Sequence, residues 1–142
     1  MRLEITRRAD LAVRLMGALQ PTGTRRKASE LAEDLGTTSG FLAQVVTPLV
    51  RAGWVASVPG PTGGYLATTA DLSALDVIEA VDGPTEDGRC VVAGYACDPD
   101  HPCTLHSAWQ AARAHLLTTL AATPVAGPSE RLDLTPQPVH HH

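Results

Sequence analysis

Aromatic side chains are scarce: one Phe, two Trp and two Tyr make up 4% of the 142-residue chain. A core must then come from Leu, Val and Ala, which favours packed helices. No apolar run approaches the ~18 residues that span a bilayer. The charged start, Met1 to Asp10, holds no apolar signal stretch, so a cytoplasmic protein with no membrane partner is expected. Three cysteines cannot form a closed set of disulfides, and in a reducing compartment such a cluster points to metal or redox chemistry. Ser/His/Asp arrangements, phosphate loops and paired-carboxylate motifs are also missing, so an enzyme is not expected.

Net positive charge is lacking too, at -4 overall, but the deficit is uneven. Residues 1–66 carry eight bases against five acids, a net of +3, while the remainder carries three against ten, a net of -7. Attraction to phosphate acts within a Debye length of about 8–10 Å, so a basic half can face nucleic acid while the body stays acidic.

What is present reads as mainly helical with one hairpin. Apolar residues at helical spacing mark a first helix from Ile5 to Leu19, ended by Pro21 and Gly23. The basic loop Thr24–Lys27 leads to a short helix over Ser29–Leu35, which Gly36 can stop by taking positive φ. A third helix starts with Thr38 or Ser39 as N-cap and presents Leu42, Val45, Val46, Leu49 and Val50 inward. Two short helices around such a turn form a helix-turn-helix. The β-prone runs Gly53–Val58 and Tyr65–Thr68 flank Pro59–Gly64 and form a wing. A helix over Asp71–Val81 follows, capped by Ser73 and Asp76, with Leu75, Ile78 and Val81 inward. Leu105, Trp109, Ala112, Leu116 and Leu120 then mark a long helix whose seam suits a second chain.

The expected organisation is a winged helix-turn-helix over 1–84, a cysteine-containing loop over 85–103, a long C-terminal dimerisation helix over 104–123 and a flexible tail over 124–142. His140–His142 read as a purification-tag remnant. The major groove admits one helix, whose first residues meet base edges. Thr37, Thr38, Ser39 and Gln44 are therefore the candidate readers, with Gln44 suited to adenine. Arg2 and Arg51 are candidates for phosphate, as are Arg7 and the Arg25–Lys27 loop, while Thr62 and Gly63 of the wing approach the minor groove.

Cys90-x6-Cys97-x5-Cys103-x2-His106 places three thiolates and an imidazole within seventeen residues. Such donors suit an iron-sulfur cluster or zinc. Three unrelated cysteines would be the plainer alternative, but free cysteines favour burial in regular elements, not loops.

The ordered set Met1-Arg2-Leu3, Ala9–Val13, Glu30-Leu31-Ala32, Gly53-Trp54-Val55, Ser57-Val58, Gly63–Leu66 and Asp76–Gly83 resembles the IscR/NsrR family of bacterial iron-sulfur transcriptional regulators. The resemblance runs from Met1 to about Leu120. It implies a homodimer with crossed long helices that binds a palindromic double-stranded operator, usually as a repressor, and senses iron-sulfur status, nitric oxide or redox state. It places one cluster per subunit on Cys90, Cys97 and Cys103, although the first gap is one residue longer than usual. His106 falls where one branch ligates a 2Fe-2S cluster. Asp10 falls where the nitric-oxide-sensing branch supplies a carboxylate, and it can instead pair with Arg14 at i+4. A 2Fe-2S cluster is favoured, 4Fe-4S is a second form, and a structural zinc site or a cluster-free thiol sensor is the alternative.

Overall fold

Three of the described helices begin where a short polar side chain takes up an amide that the first turn leaves without an internal acceptor. Thr6 accepts from Ala9 N–H and opens α1 (Arg7–Ala18); Thr38 accepts from Phe41 N–H and opens α3 (Ser39–Arg51). Between them α2 (Ala28–Asp34) ends at a turn in which Gly36 takes a φ of 67°. The computed structural model describes residues 4–61, 63–85, 91–92, 98 and 100–125. Of the residues singled out above, Arg2, Thr62, Cys90, Cys97 and the tail from 126 to 142 lie outside these.

The hairpin pairs β1 (Val55–Val58) antiparallel with β2 (Gly64–Ala67), in a register that sets Val55 opposite Ala67 and Val58 opposite Gly64. Next, α4 (Ala74–Asp82) opens on a full capping box between Ser73 and Asp76, and α5 (His106–Ala121) is the last described helix. With five helices and a two-stranded hairpin among the described residues, the architecture is the expected winged helix-turn-helix. Among the described residues no helix is long and apolar enough to cross a membrane.

The core joins Leu11, Leu15, Met16 and Leu19 of α1 and its C-cap to Leu31 of α2, Leu42, Val45 and Leu49 of α3, Val55 and Ala67 of the wing, and Val77 of α4. Aliphatic side chains fill it, as the shortage of aromatics requires. Two inward assignments need correction. Val50 is exposed, because at about 100° per residue it lies some 80° round from Leu42, outside the stripe made by Leu42, Val45, Val46 and Leu49. In α4, Ala74 and Val77 are buried and Val81 packs beside them, while Leu75 and Ile78 are only half-buried. This helix touches α1, α3 and α5, so its sides are apolar in more than one direction. Periodicity alone could not say which side meets the core.

Candidate nucleic-acid interface and metal site

The outer face of α3 presents Ser39, Gly40, Ala43, Gln44, Thr47 and Arg51 to solvent. Gln44 is the long uncharged hydrogen-bonding side chain among them, flanked by small ones that let the helix approach base edges closely. Pro48 lies within the helix and has no N–H to give the Gln44 carbonyl four residues back, while the Thr47 hydroxyl donates to the Ala43 carbonyl at 3.0 Å. The Thr38 oxygen is occupied as the helix cap, and Thr37 is half-buried with its N–H on the Ala32 carbonyl. Ser39 and Gln44 are thus the freest of the candidate readers. Ala43 and Thr47 were not singled out from sequence, although they share this face with Gly40 and Gln44 at helical spacing.

The wing is joined to the basic loop by backbone. Arg26 N–H donates to the Tyr65 carbonyl at 2.9 Å and Tyr65 N–H donates to the Arg26 carbonyl at 2.8 Å, adding a one-residue third strand. The Arg26 guanidinium pairs with Asp34, so this cation is spent inside the head. Its neighbours Arg25 and Lys27 remain exposed. At the wing tip, Gly63 N–H is committed to the Gly60 carbonyl at 2.9 Å.

Asp10 borders a cleft of about 330 Å³ lined by Arg7, Leu11 and Arg14 of α1 and by Gly36, Thr37 and Phe41 of the helix-turn-helix. Its carboxylate pairs with Arg14 at 3.1 Å, and Arg14 also donates to the Leu35 carbonyl at 3.1 Å. That carboxylate therefore reaches the turn between α2 and α3 through one guanidinium.

Cys103 and His106 are both half-buried at the start of α5, with His106 N–H donating to the Cys103 carbonyl at 3.0 Å. The structure thus brings two of the candidate ligands within one helical turn. Asp10 lies on α1, where it is paired with Arg14. Among the described residues no three His, Cys, Asp or Glu side chains converge on one point. Two further contacts tie the approach to this segment to the head. Thr85 N–H donates to Glu79 Oε2 at 2.7 Å, and Asp82 accepts the Thr6 hydroxyl at 2.7 and 2.9 Å while pairing with Arg8 at 3.5 Å.

Residues 5–127 match the Rrf2 family, described as iron-dependent transcriptional regulators. Over 84 residues the chain is 33% identical to the HTH-type transcriptional regulator IscR of Cronobacter sakazakii, covering 58% of this chain and 51% of that protein. It thus spans about half the length of the curated relatives it matches. Among solved structures, Staphylococcus aureus CymR superposes with a TM-score of 0.70 at 24% identity, covering 90% of this chain and 99% of that one. The IscR of T. potens gives 0.67 at 23% identity, covering 87% and 83%. At these identities the solved structures share the fold.

Proposed function

Because the chain belongs to the Rrf2 family of transcriptional regulators, we propose that it is a dimeric repressor whose binding to a palindromic operator is set by an iron-sulfur cluster on Cys90, Cys97, Cys103 and His106. The observation that carries this reading is that Cys103, just before α5, and His106, its first residue, are both half-buried and joined by a backbone hydrogen bond. Thiolate and imidazole donors in this number fit a cluster, with 2Fe-2S favoured. When bound, the cluster supplies a centre whose charge and ligation respond to oxidation, iron supply or nitric oxide. The chain's own part is mechanical. Glu79 holds the start of the segment leading to Cys90, and Asp82 clasps the end of α4 to Thr6 and Arg8 of α1, which packs on α3. A change at the cysteines can therefore bias the reading helix through packed elements.

Anaerobic purification with iron and sulfide analysis tests the proposal. Wild-type protein is expected to be coloured and to contain both, and Cys103→Ala to lose them. Its operator affinity should then change about 5- to 150-fold, the usual span of a coupling free energy. Of His106→Ala and Asp10→Ala, the variant that loses iron identifies the fourth ligand. A colourless protein retaining zinc would instead make these residues a structural staple. Protein that takes up no iron on anaerobic reconstitution would overturn the cluster reading.

For base recognition, Gln44→Ala is expected to weaken operator binding by about 1–3 kcal/mol and to relax preference at one base pair, adenine in the parent site. Fluorescence anisotropy against single-base operator variants measures both. A uniform loss at every position would place Gln44 on the phosphate backbone instead.

A further inference from the structure

The chain leaving α5 turns back onto the head. Ala74 N–H donates to the Thr123 carbonyl at 2.8 Å, Val125 N–H donates to the Leu72 carbonyl at 3.0 Å, and Ser73 and Pro124 form an antiparallel bridge between them. Ala74 is the first residue of α4, so Thr123 satisfies an amide that the helix start leaves without an internal acceptor. Ser73 and Asp76 take care of others through the capping box. Val125 also packs against the core cluster. A segment some fifty residues downstream thus completes the cap of α4.

By contrast, α5 buries none of its sixteen residues, although it packs on α4. One shallow contact leaves a helix free to rock, whereas a second attachment at its end defines a direction. At 1.5 Å per residue α5 is about 24 Å long, so a swing of about 10° at its base displaces its far end by roughly 4 Å. That exceeds the 3.4 Å rise of one base pair.

We infer that Thr123–Val125 is a latch that fixes the direction of α5 relative to the reading head, and thereby the distance between the two heads of the dimer. The inference rests on the dimeric reading above. Its consequence is a strict half-site spacing on DNA, held by two backbone hydrogen bonds remote from every base contact.

Full-length Val125→Pro, which removes the N–H donated to Leu72, provides the test, with Val125→Ala as the variant that keeps it. The probes are duplexes recovered by selection from a random pool, remade with the half-sites one base pair closer or farther, and a duplex holding one half-site. Wild type and Val125→Ala are expected to prefer one spacing by about tenfold or more, and Val125→Pro by threefold or less. Binding to one half-site should stay within about twofold, and the Ala74 amide should exchange at least tenfold faster in Val125→Pro. Fast Ala74 exchange with the spacing preference intact would overturn the latch, as would unchanged Ala74 exchange. Light scattering separates the premise: a monomeric wild type would overturn the dimeric reading and the spacing role with it, while Ala74 exchange still reports the tether.

Discussion

Leu116→Asp is expected to leave a folded reading head, convert the proposed dimer to a monomer and weaken binding to a two-half-site operator by about 10²- to 10⁴-fold. Leu116 is 49% exposed and α5 holds no buried residue, so within one chain the substitution removes little packing. In a helix seam between two chains the same carboxylate would be stranded without a partner, where an unpaired buried charge is costly. The avidity of two linked heads would then be lost while each keeps its weak grip on one half-site. Light scattering gives the mass and anisotropy gives the affinity. A Leu116→Asp protein that remains dimeric would place the subunit contact away from this stretch of α5.

Gly64→Ala is expected to cost about 2–4 kcal/mol of stability and to lower the melting temperature by roughly 10 °C. A Cβ at this position would stand 2.0 Å from the Arg26 carbonyl oxygen, 2.7 Å from its carbon and 3.0 Å from the Lys27 Cα. All three are backbone atoms, so no rotamer change gives relief. The wing must lift from the loop, and the paired bonds between Arg26 and Tyr65 go with it. Gly40→Ala is the control. Nothing lies within 4 Å of a Cβ there, and alanine suits a helix better than glycine. Calorimetry of both variants checks the contrast, and equal melting temperatures would mean that the wing is not held by this bridge.

Features written in neighbouring residues were legible from sequence. The caps at Thr38 and Ser73, the stop at Gly36 and the proline- and glycine-rich hairpin tip each follow from local stereochemistry, and together they locate the helix-turn-helix and its wing. The i, i+4 pairing of Asp10 with Arg14 was legible as one of two readings. Features that join distant residues were not. Nothing near Gly64 announces that Arg26 will lie against it, and nothing near Thr6 announces that its hydroxyl will meet Asp82. Pro124 and Val125 read as the beginning of a loose tail because their partners, Ser73 and Leu72, are some fifty residues away. For the proposed metal site, spacing named candidate donors, whereas bringing them together would depend on a path that no periodic pattern encodes.

In the proposed DNA-binding role, the ion pairs of the head also bear on how much of the protein is lost to irrelevant DNA. Arg8, Arg14 and Arg26 are engaged by Asp82, Asp10 and Asp34, which leaves Arg7, Arg25, Lys27 and Arg51 as the exposed cations without an acidic partner among the described residues. Release of condensed counterions scales with the number of phosphates neutralised, and it supplies nearly all of sequence-independent binding. A head that spends three arginines on its own architecture holds random duplex loosely. In that role fewer copies would be sequestered along the chromosome, and a small pool of regulator would suffice to find its sites.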